Sequence, residues 1–287
     1  MRPKDLKSRI FLDGGDPVET REVLGSLGFL DGQTTNPTLI SKNPQAAERL
    51  KKGGRFTEKE IIDFYRNVVG EISSLIPQGS ISIEVYADLS TRAEAMLKQG
   101  KEMFTWIPNA HIKFPTSKEG LKAAEQAVKS GLRVNMTLCF TQGQAAAVYA
   151  ATNGAKKGEV FVSPFIGRLD DRKENGMDLI SNIIRMYQRG DGHVEVLTAS
   201  VRTLDHLLYA IGLGSDIITV PFKILKEWAE TGMSIPGPDY VYGHEGLSPI
   251  PYNDIDLSKA WQDYDISHDL TIKGMERFSA DWNSLIK

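Results

Sequence analysis

The chain has 287 residues, of which 25 % are charged and 41 % are hydrophobic, and its formal net charge is −3. These values are typical of a globular protein and predict neither the basic surface that binds nucleic acid nor a polybasic membrane anchor. No apolar run is long enough to span a membrane, and the charged N-terminus does not resemble a signal peptide. The single cysteine, Cys139, has no partner for an internal disulfide. We therefore expect a cytoplasmic protein.

From Arg9 onward, strand-like and helix-like segments alternate along the chain. Short apolar segments predict strands at 9–13, 29–35, 80–86, around Lys113, and at 132–138, 159–165, 194–199 and 216–220. Capped or amphipathic segments predict helices at 18–28, from Thr57 onward, and at 91–102, 119–130, 144–152, 178–187, 204–211 and 222–230.

This alternation of about eight strand–helix units predicts an α/β protein with a single (β/α)8 TIM barrel. The competing architecture is an open doubly wound sheet, whose glycine-rich phosphate-binding turn is not matched by Gly14-Gly15-Asp16-Pro17. We predict a barrel over residues 1–233 and a C-terminal extension over 234–287, in which a segment rich in proline and glycine precedes a final helix at about 267–285. We expect this extension to pack on the barrel or to close one of its mouths, and a subunit contact is the alternative.

Lys113 is an unusual residue for an apolar strand. It lies between Ile112 and Phe114, and the alternation of side chains along a strand directs it to the face opposite theirs. If that face is the barrel interior, desolvation favours the neutral amine, which can attack a carbonyl and form a Schiff base. The alternative is a lysine whose ammonium group reaches solvent at the strand end.

Polar residues end or closely follow most of the predicted strands. They are Asp13, Asn36, Glu84, Lys113, Asn135, Thr137, Ser163, Arg168, Ser200 and Arg202. One such residue commonly caps the next helix. The C-terminal ends of barrel strands, however, meet at the mouth where (β/α)8 enzymes build their active sites. A set with a lysine, two carboxylates and two arginines therefore predicts a catalytic site.

Six segments resemble the signature blocks of the transaldolase family, in the family's order. They are Phe11-Leu12-Asp13, Thr34-Thr35-Asn36-Pro37-Thr38-Leu39-Ile40, Ile112-Lys113-Phe114-Pro115-Thr116, Val134-Asn135-Met136-Thr137-Leu138, Ser163-Pro164-Phe165-Ile166-Gly167-Arg168 and Ala199-Ser200-Val201-Arg202. The second and fifth blocks are specific to the family, whereas the lysine block alone is weak. The glycines after Asp13 depart from the small hydroxyl or alanine residues expected there, and the tail is similar only through Gly274-Met275-Glu276-Arg277-Phe278 and Asp281.

The resemblance implies an enzyme of the pentose phosphate pathway that moves a dihydroxyacetone unit between sugar phosphates. The donor would be sedoheptulose 7-phosphate or fructose 6-phosphate, and the acceptor glyceraldehyde 3-phosphate or erythrose 4-phosphate. Lys113 would form the Schiff base that makes the ketose C2 an electron sink, so we expect neither a metal nor a cofactor. Asp13 would take the C4 hydroxyl proton as the C3–C4 bond breaks. Glu84 would shuttle protons during imine formation, together with Thr137 and a water.

The same resemblance implies roles for the substrate-binding residues. Asn36 and Asn135 would hold the dihydroxyacetone hydroxyls, with Ser163 beside them. Arg168 and Arg202, with Ser200, would bind the substrate phosphate, because a guanidinium fork matches phosphate oxygens.

Phe165 should point to the same side of its strand as Ser163, into the mouth. In this family a phenylalanine here goes with transferases and a tyrosine with aldolases that release free dihydroxyacetone. The cleaving relatives also tend to carry an amide at the position of Glu84. Two alternatives therefore stay open: a cleaving aldolase of the same family, and a barrel without catalysis that only binds sugar phosphates. A homo-oligomer is also possible.

Overall fold

The computed structural model describes all 287 residues and contains one closed sheet of eight parallel strands. The strands are β1 (Arg9–Asp13), β2 (Gly32–Thr34), β3 (Ser80–Glu84), β4 (Ala110–Pro115), β5 (Val134–Cys139), β6 (Val160–Pro164), β7 (Val194–Thr198) and β8 (Ile217–Pro221). Each strand pairs in parallel with the next, and β8 pairs with β1. This closure confirms the predicted (β/α)8 barrel and excludes the open sheet.

Helices follow the strands around the outside of the barrel. They are α1 (Pro17–Leu27), α2 (Pro37–Ser41), α3 (Pro44–Lys51), α4 (Glu58–Leu75), α5 (Ala93–Phe104), α6 (Lys118–Lys129), α7 (Gln142–Ala151), α8 (Ile166–Asp170), α9 (Gly176–Tyr187), α10 (Leu204–Leu213), α11 (Phe222–Glu230) and α12 (Asp269–Asn283), with a 3-10 turn at Trp261–Asp263. None of these helices combines the length and the apolar character that crossing a membrane requires.

Local sequence signals explain where most helices begin. Thr57 and Glu60 form a capping box at the start of α4, in which each side chain bonds the other residue's backbone N–H; such a cap typically contributes about 1 kcal/mol. Ser117 caps α6 by accepting a hydrogen bond from the Gly120 N–H. Ser117 therefore marks the start of α6, one residue before Lys118.

The predicted bounds of β2 are wrong, and the two short helices that follow it were not predicted. The strand expected over 29–35 has only three residues, and Phe29, before its start, packs edge-to-face on Trp228. The segment after β2, where the sequence predicts no helix before Thr57, contains α2 and α3. Each of these helices begins at a proline that follows an asparagine cap, Asn36 or Asn43, since proline suits the first helical position.

The strands separate an outer helix-facing layer from the barrel interior. Ile112 and Phe114 face α5, where Gly100 allows close packing, because a Cβ there would lie 3.0 Å from each side chain. Lys113 therefore points inward, as its position between them predicts.

The lower interior is filled by aromatic rings. His111 stacks on Phe161 with ring centroids 4.1 Å apart, and Phe11 meets Phe161 edge-on at 6.2 Å. His111 shares the inward face of β4 with Lys113, and it hydrogen-bonds with Ser80 and the Gly158 carbonyl. Burial lowers the pKa of His111 to about 3, so that its ring is neutral.

The C-terminal helix α12 lies against the C-terminal mouth of the barrel. Thr271 on α12 donates a hydrogen bond of 3.0 Å to the carbonyl of Leu138 at the end of β5, and it accepts one of 2.8 Å from Gln144. At the other end of α12, Asp281 accepts a hydrogen bond from Thr38 on α2. These contacts hold the helix across the end of the barrel where the strand-end polar residues converge.

Candidate active site

A cavity of about 190 Å³ opens at the C-terminal mouth. Eight of the predicted site residues line it: Asp13, Asn36, Lys113, Ser163, Phe165, Arg168, Ser200 and Arg202. Glu84, Asn135 and Thr137 are buried behind it. The strand-end residues therefore converge as the barrel topology predicts. Most of them form the cavity wall, and the other three lie buried behind that wall.

Lys113 and Glu84 form a buried pair at the base of the site. They stand opposite each other on β4 and β3, and Lys113 Nζ lies 2.9 Å from Glu84 Oε2. Nζ also donates a hydrogen bond of 3.0 Å to the Thr35 carbonyl. Only 4 % and 5 % of the two side chains are exposed, which excludes a lysine that reaches solvent.

The environment of Glu84 makes its carboxylate a stronger proton acceptor than an exposed one. Burial raises the pKa of Glu84, and the nearby Lys113 ammonium only partly opposes this rise. A proton can therefore pass from the ammonium to the carboxylate without leaving a charge in the interior. The product of that transfer is a neutral, nucleophilic amine.

Asp13 lies at the end of β1 on the wall of the same cavity. Its carboxylate accepts a hydrogen bond of 2.7 Å from Thr34 Oγ1, which in turn bonds Thr219 at 2.6 Å. Burial raises the pKa of Asp13, while Lys113, the Thr34 bond and Lys42 oppose the rise. A raised pKa makes this carboxylate a stronger proton acceptor than an ordinary aspartate.

The amide residues are more occupied by protein contacts than the sequence indicates. Asn36 lines the cavity, but its Oδ1 caps α2 by accepting a hydrogen bond from the Leu39 N–H at 2.9 Å, so its free groups are donors. Asn135 is fully buried and is held at both ends: its Nδ2 donates to Ser82 Oγ at 3.0 Å, and its Oδ1 accepts from Ser163 Oγ at 2.6 Å. Asn135 thus orients Ser163, which reaches the cavity.

Thr137 and Phe165 occupy contrasting positions. The Thr137 hydroxyl is buried and has no hydrogen-bond partner within the protein, which is a costly arrangement for a polar group. Phe165 follows β6 and lines the cavity with Ser163, as predicted. Its ring meets Phe140 edge-on at 5.9 Å and therefore has a fixed orientation.

The two predicted arginines differ in what they contact. Arg168 makes no ion pair; its guanidinium lies 5.5 Å from the ring centroid of Phe165 and 5.6 Å from that of Phe278. Arg202 instead directs both ends of its fork at Asp171, at 2.6 and 2.7 Å. Burial lowers the pKa of Arg168, and the neighbouring Arg277 and Arg202 lower it further. The group stays charged, because an arginine pKa begins so high.

Glycine and a left-handed backbone make this arrangement possible. A Cβ on Gly167 would lie 2.4 Å from both Arg202 Nε and the Ser200 carbonyl oxygen. Ser200 itself has a φ of 61°, a conformation that non-glycine residues adopt at a cost of about 1–2 kcal/mol. Both features bring Ser200 and Arg202 close to the start of α8, which carries Arg168.

Reasoning from strand ends missed the contribution of α12 to the site. Arg277 and Phe278 line the cavity, and Phe278 with Met275 also covers Glu84 across a small cavity of about 10 Å³. The sequence contains one indication of this contribution, because Gly274 and Arg277 lie within the same helical turns as the apolar residues of α12. Those apolar residues predict a packed helix, but they do not indicate which part of the barrel the helix covers.

Comparison with known proteins extends this description. A family model described as Transaldolase/Fructose-6-phosphate aldolase matches residues 10–287. A protein named "Probable transaldolase" from Dehalococcoides mccartyi is 35 % identical over 279 residues, which cover 97 % of this chain and 100 % of that protein. A protein of the same name from Brucella melitensis is 36 % identical over 274 residues, with 96 % of each chain covered. Among solved structures, 3-hexulose-6-phosphate synthase from Salmonella typhimurium has a TM-score of 0.48 and 11 % identity, with 78 % of this chain and 99 % of that one covered, which is too weak a likeness to carry an argument.

Proposed function

The chain belongs to the transaldolase/fructose-6-phosphate aldolase family, and on this premise we propose that it is a transaldolase that transfers a dihydroxyacetone unit through a Schiff base on Lys113. The observation that carries the proposal is the Lys113–Glu84 pair, buried at the base of a cavity with a second carboxyl group, Asp13, on its wall. The donor is a ketose phosphate such as fructose 6-phosphate or sedoheptulose 7-phosphate. The acceptor is erythrose 4-phosphate or glyceraldehyde 3-phosphate.

The first stage is imine formation. Proton transfer from Lys113 to Glu84 leaves a neutral amine, which adds to the ketose C2 carbonyl. The carbinolamine then loses its hydroxyl as water, for which Glu84 supplies the proton. The unpartnered Thr137 hydroxyl supports a role in this stage, because it can orient a water for proton exchange with Glu84.

The second stage breaks and remakes a carbon–carbon bond. Asp13 takes the C4 hydroxyl proton, the C3–C4 bond breaks, and its electron pair moves to the iminium to give an enamine and a free aldehyde. When an acceptor aldehyde binds, the enamine attacks it and Asp13 returns the proton to the new hydroxyl. The raised pKa of Asp13 supports this double role, because it makes the carboxylate a stronger proton acceptor than an ordinary aspartate.

The substrate is held at both ends of the cavity. Ser163, oriented by Asn135, and the donor groups of Asn36 bind the dihydroxyacetone hydroxyls. Arg168 binds the phosphate at the mouth, and Arg202 joins it with Ser200. Since the Arg202 fork is bound to Asp171 in this structure, the phosphate must share Arg202 with that carboxylate or displace it.

Transfer rather than release depends on keeping the enamine from a proton donor. The Phe165 ring forms part of the cavity wall and offers neither a donor nor an acceptor. We expect transfer from fructose 6-phosphate to erythrose 4-phosphate to be far faster than release of free dihydroxyacetone.

Coupled assays for sedoheptulose 7-phosphate and free dihydroxyacetone test this proposal. The donor is fructose 6-phosphate and the acceptor is erythrose 4-phosphate, and the matched variant is Phe165→Tyr, which adds a single hydroxyl. The variant should release more dihydroxyacetone and transfer less. A wild-type release rate equal to its transfer rate would instead identify a cleaving aldolase. If the wild type forms neither product, the protein is a barrel that only binds sugar phosphates.

A further inference from the structure

We propose that the C-terminal helix α12 completes the phosphate site: Arg277 binds the substrate phosphate as a third cation, and Gly274 and Phe278 position Arg168. This inference rests on the proposed function and assigns a binding role to a segment outside the barrel strands. The starting point is that Arg277 lines the cavity together with Arg168 and Arg202.

Only one of the three guanidinium groups, that of Arg202, is hydrogen-bonded to a carboxylate. Arg202 is fully engaged by Asp171. Arg277 has only Asp281, whose Oδ2 lies 3.9 Å from its Nε, and that same oxygen accepts a hydrogen bond from Thr38. Arg168 has no ion-pair partner. The three guanidinium groups repel one another, since Arg277 and Arg202 both act on Arg168, and a dianionic phosphate compensates them.

The free donors are unevenly distributed among these arginines. Neither Arg168 nor Arg277 donates a hydrogen bond to the protein, whereas both ends of the Arg202 fork do. An incoming phosphate therefore meets unoccupied N–H groups first on Arg168 and Arg277. Arg277 is accessible for this purpose, since 60 % of its side chain is exposed.

One face of α12 is shaped around Arg168. Gly274, Arg277 and Phe278 are spaced three and four residues apart and so share a helix face. A Cβ on Gly274 would lie 3.0 Å from Arg168 Nη1 and 2.5 Å from Leu138 Cδ2. One turn later, the Phe278 ring lies against the same guanidinium. Glycine therefore admits Arg168, the phenyl ring supports it, and Arg277 adds charge beside it.

The test measures binding of inorganic phosphate by isothermal titration calorimetry at low ionic strength. Arg277→Met removes the charge and keeps much of the side-chain length, and Arg277→Lys restores a positive charge. The matched control is Lys273→Met, which removes one positive charge one turn earlier on α12, where Lys273 pairs with Asp269 at 2.9 Å on the exposed side. If Arg277→Met does not fold, Arg277→Gln takes its place.

We expect the Kd for phosphate to rise about tenfold in Arg277→Met, as for loss of one charge-assisted contact, with partial recovery in Arg277→Lys. Lys273→Met should change it by less than about twofold. In turnover, the KM for fructose 6-phosphate should rise in Arg277→Met by a much larger factor than the KM for unphosphorylated fructose.

Three results would overturn the inference: a Kd in Arg277→Met within about twofold of wild type, an equal loss in Lys273→Met, or no measurable phosphate binding by the wild type. The proposed function fails in a different way. If the wild type binds phosphate through Arg277 but does not turn over sugar phosphates, the phosphate site stands and the transaldolase function is refuted.

Discussion

The Lys113–Glu84 pair allows a quantitative test of the site's electrostatics through a double-mutant cycle. Lys113→Met keeps the apolar stem of the side chain and removes the charge, and Glu84→Gln keeps the shape of the carboxyl group and removes its charge. Because the two side chains are only 4 % and 5 % exposed, solvent cannot replace a lost partner. The partner that remains in each single variant is therefore buried without its counter-charge.

The structure sets the size of the expected coupling. At 2.9 Å and an effective dielectric constant of about 20, the Coulomb attraction is about 6 kcal/mol. Removing one member of a buried pair typically costs about 3–5 kcal/mol, whereas replacing both is often neutral or stabilising. In Lys113→Met the loss should fall near the lower figure, because Glu84, whose pKa burial already raises, can take up a proton instead of staying charged.

Denaturant unfolding of the four proteins at neutral pH measures the cycle. Each single variant should lose about 3 kcal/mol of unfolding free energy, and the double variant should lie close to wild type, which makes the coupling about 6 kcal/mol. Effects of the two substitutions that add to within about 0.5 kcal/mol would refute the reasoning. Such a result would mean that the two charges do not interact in solution.

Two further predictions concern the second carboxyl group and the phosphate site. Asp13→Asn should abolish turnover yet raise the thermal stability at pH 8, because a carboxyl group whose pKa is raised by burial destabilises the fold above the ordinary aspartate value of 3.8. The gain should vanish as the pH falls to that value, below which the carboxyl is protonated in both the folded and the unfolded chain. Thermal unfolding at pH 4 and pH 8 measures the difference, and an equal shift at both values would contradict it. Arg168→Ala and Arg202→Ala should each raise the KM for phosphorylated sugars roughly tenfold, with much smaller effects for unphosphorylated sugars. Equal losses in steady-state kinetics with both kinds of sugar would assign these arginines a structural role.

The barrel and the inner part of the site could be predicted from local sequence. A lysine between Ile112 and Phe114 had to face the interior, because strand alternation places those two side chains against the helix layer. Phe165 had to share a side with Ser163 for the same reason. These predictions succeed because a parallel barrel brings all strand ends to one mouth, so that position along each strand determines position in the site.

What could not be predicted depends on contacts between distant segments. The engagement of the Arg202 fork by Asp171 and the position of Arg277 are set by how α8 and α12 pack, and neither leaves a periodic pattern in the sequence. Leu138 has a φ of 58° at the irregularity in β5. No residue type marks that conformation, and Thr271 on α12 bonds the Leu138 carbonyl from far along the chain. The short helices α2 and α3 escaped prediction because Asn-Pro pairs also mark turns.

The central claim is that Lys113 carries the substrate as a Schiff base, and reductive trapping tests it most directly. The wild-type protein is incubated with fructose 6-phosphate and borohydride, its intact mass is measured, and the modified residue is located by peptide mapping; Lys113→Met is the control. We predict one stable adduct per chain, located on Lys113 and absent from the variant, which should remain folded but inactive. An adduct on another lysine, or none in a preparation that turns over the substrate, would contradict the account.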